Sequence, residues 1–267
     1  MDHPDTDDLR ERRGTFNAVA RLYDRARPTY PPILVDDLVA YCGIGPRSRV
    51  LEIGPGTGQL TRALAGYGCH LDAVELGPDL AATTRHNLAA FPRTHVAVAA
   101  FEEWPLPPEP FDVVVAATSF HWLDPLLRVE KSAAALRPGG ALATIATHHV
   151  AGGTADFFTE AQTCYQQWDP TTLPDSRLPL AAEIPADQEL EQSNHFAAAR
   201  FRRYEQDITY STSAYLDTLR TYSPTRALPP HARDGLLHCL AAVIDNKYGG
   251  TVVKRYMHEL RIARRRD

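Results

Sequence analysis

The sequence is poor in cysteine, nearly without lysine, and has no long apolar run. Its four cysteines are Cys42, Cys69, Cys164 and Cys239. No two form a CxxC pair and their spacing fits no zinc motif, so no metal site is expected. The thiols read as free, as in a reducing cytoplasm, the compartment expected for the chain. Lysine occurs only at Lys131, Lys247 and Lys254, while arginine and alanine abound. No uninterrupted apolar stretch is long enough to span a bilayer, which argues against a membrane partner. The opening MDHPDTDD is acidic and lacks the apolar core of a secretory signal. Net charge is -5 over 267 residues, so no basic field favours nucleic acid as a partner. The only basic run, Arg261–Arg266, reads as a solvated tail.

What is present is ordinary globular composition, with 44% hydrophobic and 23% charged residues. Residues 48–148 alternate between short apolar strands and helical segments. The strands expected are Arg49–Ile53, His70–Leu76, Thr94–Ala100, Phe111–Thr118 and Ala141–His148, each rich in Val, Ile, Leu or Ala. Between them lie helices at Gln59–Ala65, Pro78–Phe91 and Asp124–Leu136, the last closed by the breaker Arg137-Pro138-Gly139-Gly140. Such alternation implies an α/β fold with a parallel sheet and right-handed crossovers. Residues 1–43 are expected to form a helical cap, split at Arg27–Pro32, and 44–150 the α/β core. Residues 151–248 break the alternation and read as an α-rich lid. It holds a helix at Ala155–Trp168, a late core strand near 196–210, and helices near Ser213–Thr221 and Ala232–Asn246. Residues 249–267 read as a closing edge strand, started by the Gly249-Gly250 turn, and a basic tail.

The chemical signal starts at VLEIGPGTGQL, residues 50–60. Gly54, Gly56 and Gly58 stand between the first strand and the first helix, where an open α/β sheet keeps its ligand crevice. The dinucleotide pattern GxGxxG would need glycine at 59, where Gln59 stands, and no Gly-Lys-Ser/Thr follows to make a Walker loop. Glu75 closes the second strand, where a carboxylate can accept from ribose hydroxyls. Phe101 follows the third strand, where an aromatic face can lie against adenine. Glu102 beside it could accept from the exocyclic amine.

VLEIGPGTG resembles motif I of class I S-adenosylmethionine-dependent methyltransferases, and DAVELGPDLA at 72–81 resembles their ribose-binding segment. FEEWPLPPEPFDVVVAATSFHWLDP at 101–125 and LRPGGALATI at 136–145 are similar to the later motifs, and YDRARPTYP at 23–31 to the opening of many bacterial small-molecule enzymes of the type 11 and trans-aconitate methyltransferase kind. The resemblance covers residues 15–150. It implies a Rossmann-like seven-stranded, mostly parallel sheet with an antiparallel last strand, helices on both faces, and S-adenosylmethionine across its edge. It further implies cofactor contacts from Tyr23, Arg27, Leu76 and Ala117, with the Arg27 guanidinium on the methionine carboxylate. Ala100 departs from the pattern, since many relatives carry an aspartate there, and Glu102 is its candidate substitute.

In this fold the fourth strand ends facing the methyl group, which makes His121 the candidate general base. The alternative is that His121 and Trp122 pack the loop and order the cofactor. The DNA amino-methylase motif is missing, because Asp124-Pro125-Leu126-Leu127 does not match it, and there is no Pro-Cys nucleophile. A small molecule, of the kind made in secondary metabolism, is therefore the expected substrate. Tyr30, Trp122, His148, Tyr210 and Tyr222 are its candidate contacts, with Tyr165, Trp168, Tyr204 and Tyr215 as further aromatic walls. Alternatives are carbon methylation of an aromatic or indole-like ring or an alkene, and a cofactor-binding regulator without catalysis. The sequence leaves the oligomeric state open.

Overall fold

The computed structural model describes residues 16–173, 176–186 and 188–267. The acidic opening segment and the first part of the expected helical cap lie outside these residues.

Short apolar strands alternate with helices as the sequence pattern requires. Helices α1 (Ala20–Ala26) and α2 (Pro32–Cys42) come first. The core follows as β1 (Arg49–Ile53), α3 (Gln59–Ala65), β2 (His70–Glu75), α4 (Pro78–Asn87), β3 (Thr94–Val98), β4 (Phe111–Ala117), α5 (Arg128–Ala135) and β5 (Leu136–His149). The remainder is α6 (Ala155–Trp168), β6 (Arg200–Ser211), α7 (Thr212–Leu219), α8 (Ser223–Ala227), α9 (Pro230–Lys247) and β7 (Thr251–Arg264). The seven strands form one sheet in the order β3-β2-β1-β4-β5-β7-β6. Strands β1 to β5 pair in parallel, and β7 runs antiparallel to both β5 and β6. The order reverses between β1 and β4, and the crevice at such a switch point is where this class of sheet holds ligands.

Alternation along the strands feeds two cores. Val50, Val113 and Val115 face α2 and α3, which contribute Leu34, Leu38, Leu60 and Leu64. Leu51, Val114 and Ala116 face the opposite side, against Ala133 and Ala135 of α5 and Phe196. Each of these strand residues is at most 1% exposed, which is why β4 carries the apolar run Val113–Ala117 rather than an alternating pattern. A third core, from Phe157, Tyr215, Leu236 and Leu240 packed on Tyr210 and Tyr256, joins α6, α7 and α9 to the ends of β6 and β7.

Four expectations need correction. Cys164 of α6 and Cys239 of α9 form a disulfide, and only Cys42 and Cys69 are free, both buried. The two helices pack side by side and bring Cα atoms 75 positions apart to within 5.7 Å, a tertiary proximity that spacing along the chain does not reveal. The argument for a reducing compartment from free thiols loses its basis with it. Second, β7 is an interior strand. Strand β6 pairs with it along its whole length, from Arg200↔Ile262 to Ser211↔Thr251, and takes the edge. Gly249 and Gly250 link α9 to β7 and start no hairpin. Third, the basic run is no free tail: Arg261 is 3% exposed and ion-paired to Glu259 at 2.8 Å. Fourth, Arg137–Gly140 do not separate helix from strand but form the irregular lead-in to β5, with the register shift between Phe111 and Val113 absorbing the extra residues. No helix among the described residues is long and apolar enough to cross a membrane.

Candidate active site

The loop after β1 turns on three glycines with positive φ, Gly54 at 65°, Gly56 at 63° and Gly58 at 94°. L-residues other than glycine resist this region. Its inner end is tied down twice: Gly54 N–H donates to Val74 O at 2.9 Å, and Ser119 Oγ donates to Ile53 O. Glu75, at the end of β2 and 6% exposed, accepts from Gly56 N–H at 3.0 Å and from Gly77 N–H at 2.9 Å. One carboxylate thus sets the height of both neighbouring loops.

A Cβ on Gly54 would lie 2.7 Å from Ser119 Cβ, and Ser119 is held by its bond to Ile53. Gly54→Ala is therefore expected to combine left-handed strain with overpacking and to cost about 2–4 kcal/mol. A urea-denaturation midpoint equal to that of the parent chain would contradict this reading of the loop.

Above the loop opens a cavity of ≈ 730 Å³. Gly54, Gly56, Glu75, Leu76 and Phe101 line it on the sheet side, with Tyr23 and Arg27 of the N-terminal segment. Phe158, Tyr165, Tyr215 and Tyr222 line it on the side of α6 to α8. His121, Trp122, His149 and Lys254 complete it. A smaller adjoining hollow takes Tyr30, Ala117, Glu52, Tyr256 and His258.

Residues 50–140 match the family described as a methyltransferase domain. Over these residues the chain is a methyltransferase domain. An uncharacterized methyltransferase of Mycobacterium tuberculosis is 36% identical over 131 residues, 49% of this chain and 51% of that protein. The chain thus spans about half the length of the curated relatives it matches. In fold, it is similar to a candidate type II methyltransferase of Anaeromyxobacter dehalogenans, with a TM-score of 0.58 and 23% identity over 89% of this chain and 97% of the other. It is also similar to a Haemonchus contortus phosphoethanolamine N-methyltransferase, solved with phosphomonomethylethanolamine and S-adenosylhomocysteine. There the TM-score is 0.55 and the identity 16%, over 99% of this chain and 61% of that one.

Within this methyltransferase domain the expected residues distribute unevenly. Tyr23, Arg27, Gly54, Gly56, Glu75, Leu76 and Phe101 meet at one cavity wall. Gly58 does not line it; the glycine is the N-cap of α3, and a Cβ there would press Thr84 at 3.3 Å. Glu102 is turned away, its Oε1 accepting from Asp124 N–H at 3.1 Å. That bond ties the carboxylate to the loop before α5. Ala117 and Tyr30 face the smaller hollow, where the Tyr30 hydroxyl bonds Thr118 Oγ1 at 3.0 Å. Arg27 is braced by Nε–H donation to Thr221 Oγ1 at 2.8 Å and lies over the rings of Tyr23 and Tyr222.

The substrate-side residues are sorted by strand alternation. His149 lines the cavity and His148 does not, because successive strand residues point to opposite faces. Tyr210 and Tyr204 are structural: Tyr210 bonds Tyr256 through their hydroxyls at 3.1 Å, and Tyr204 donates to Asp37 at 2.6 Å. Trp168 packs against Gly235, where a Cβ would come within 2.4 Å of the indole. Trp122 and Tyr222 do line the cavity, with Trp122 edge-on to Phe16 at 5.9 Å.

The titratable groups here are shaped by enclosure. His121 sits on a short 3-10 turn, Phe120–Trp122, at the cavity wall, and is exposed. Desolvation, then the charges of Arg128 and His148, push it down to about 4 rather than leaving it near its ordinary value. His149 falls to about 3, through desolvation and then Lys254, Arg27 and His148. Burial lifts Glu52 to about 7.

The sequence reading missed Lys254, although a signal was present. In Val252-Val253-Lys254-Arg255-Tyr256, Lys254 shares its strand face with Val252 and Tyr256. Val252 and Tyr256 are each 1% exposed, and Lys254 is 3% exposed. Thr118 was missed too; it adopts φ 56° at the end of β4 and joins Tyr30 to Thr147 through its hydroxyl.

Proposed function

We propose that this chain transfers a methyl group from S-adenosylmethionine to a small molecule enclosed between the sheet edge and a lid formed by residues 151–248. The observation that carries this reading is the continuity of the cavity. One space of ≈ 730 Å³ touches both the Gly54–Glu75 edge and the aromatic walls of α6 to α8. That size suits a cofactor and a small acceptor together.

The residues fit the cofactor's chemistry. Each oxygen of a carboxylate accepts more than one hydrogen bond, so Glu75 suits ribose hydroxyls while it holds the loop. Phe101 offers an apolar wall for adenine, and Arg27 a guanidinium for the methionine carboxylate. Bound S-adenosylmethionine supplies an already activated methyl carbon, and the protein's part is to align the acceptor and exclude water. Calorimetry tests the donor assignment: S-adenosylmethionine is expected to bind and NAD not to compete. Preferential binding of NAD would refute it.

His121 is the candidate base. At neutral pH it is unprotonated, as a base must be, though its low pKa makes it a weak one. A group whose pKa falls from 6.5 to about 4 stays in its active, neutral form between those values. The acid limb of kcat/KM is therefore expected near pH 4, not near pH 6.5. His121→Asn is expected to lower kcat by about 10²–10⁴-fold, with S-adenosylhomocysteine affinity unchanged. Near-normal turnover in that variant would leave His121 a packing residue.

A further inference from the structure

We propose that the substrate accepted by this cavity carries a carboxylate, and that Lys254 is the cation that pairs with it. The inference rests on the small-molecule methyltransferase reading and names the substrate class within it.

Lys254 lines the cavity from near the start of β7, the strand next to the sheet edge, and is 3% exposed. Its ammonium lies 4.6 Å from the ring centre of Phe158 and 5.6 Å from that of Tyr256. It makes no hydrogen bond or ion pair with any described residue. Of the other cations of the wall, Arg27 is braced by Thr221 and is the group proposed for the cofactor's methionine carboxylate, and Arg177 pairs with Glu183 at 2.8 Å. Among the described residues Glu75 is the only carboxylate of the wall, and it belongs to the glycine-loop end. The groups facing Lys254 are aromatic or neutral, namely Phe158 from α6, Tyr256 from its own strand and His149 from β5, whose imidazole is pushed down first by burial and then by the Lys254 charge.

An ammonium buried without a counter-ion is costly, and ring faces offset only part of that cost. Burial accordingly pushes the amine down to about 8, which still leaves it mostly charged at pH 7. A protein with no use for the charge would do better with Met or Leu at this position. A ligand anion entering the cavity repays the desolvation and is selected by it. One ammonium among aromatic walls matches a single negative charge on an apolar body. That describes a carboxylic acid better than a phosphate dianion, which calls for several donors.

The test uses the full chain saturated with S-adenosylhomocysteine, whose binding is measured first. Benzoate, phenylacetate, 3-phenylpropanoate and indole-3-acetate are then titrated by calorimetry beside their primary amides and phenyl phosphate. At least one acid is expected to bind about ten-fold more tightly than its amide. Lys254→Met should erase that preference and leave S-adenosylhomocysteine affinity intact; Lys254→Arg should keep most of it. Equal affinity of every acid and its amide for the unaltered chain overturns the proposal without recourse to any variant. So does a preference that survives Lys254→Met, stronger binding of phenyl phosphate than of the acids, or no acid binding at millimolar concentration. Failure of S-adenosylhomocysteine itself to bind would instead overturn the methyltransferase reading on which the proposal stands.

Discussion

Glu75→Ala is expected to weaken S-adenosylhomocysteine binding about 100-fold, or about 2.7 kcal/mol, while the chain remains folded. Glu75 has two tasks at once. It is the carboxylate at the end of β2 placed for ribose hydroxyls, and it fixes Gly56 and Gly77 through their N–H groups at 3.0 and 2.9 Å. Charge-assisted hydrogen bonds are worth about 1.5–3 kcal/mol each, so losing the ligand bonds alone accounts for the expected change. Losing the loop bonds adds to it, because both amides then lack their acceptor. The sheet persists, since Leu51, Ile53, Val113 and Val114 are buried independently of that carboxylate. Glu75→Gln should fall between the two, keeping the shape but placing an NH2 against one of the two donors. Calorimetry with each variant decides the matter, and unchanged affinity for Glu75→Ala would mean that the cofactor does not lie over this loop.

The second large effect concerns the disulfide. Replacing Cys164 and Cys239 together by alanine is expected to destabilise the chain by about 2–4 kcal/mol and to lower Tm by roughly 5–15 °C. The bond closes a loop of 75 residues, and cross-links over long loops restrict the unfolded chain most. It joins α6 to α9 inside the third core, where Cys164 is 1% exposed. Thiol titration in denaturant gives the complementary result: Cys42 and Cys69 should react without reductant, and Cys164 and Cys239 only after reduction. A double variant that melts with the parent would show that the bond adds nothing to the packing of α6 on α9.

The parts legible in the sequence were those governed by local rules. Strand β1 and helix α3 occupy Arg49–Ile53 and Gln59–Ala65, as the apolar run and the glycine stop signals require, and α6 occupies Ala155–Trp168. Glu75 and Phe101 reach the cavity because their positions follow from strand ends in a parallel sheet. What escaped depended on contacts between distant segments. The disulfide needed α6 beside α9. The interior place of β7 needed a partner for its second edge, which β6 supplies from about 50 residues earlier. Glu102 does not line the cavity, and its carboxylate accepts from a loop amide, Asp124 N–H. His148 and His149 are neighbours at the end of β5, and since successive strand residues point to opposite faces, only His149 lines the cavity. Lys254 was legible in principle, because alternation along the strand puts it on the same face as Val252 and Tyr256, and an apolar face of that kind is a buried one.

The most direct measurement of the central claim is transfer of an isotopically labelled methyl group. The full chain is incubated with methyl-labelled S-adenosylmethionine and a desalted mixture of small organic acids, phenols and amines, and the low-molecular-mass fraction is followed by mass spectrometry. The account predicts label in a small acid-bearing product, dependent on intact Glu75. Label confined to macromolecules, or none above the level of the Glu75→Ala variant, would contradict it.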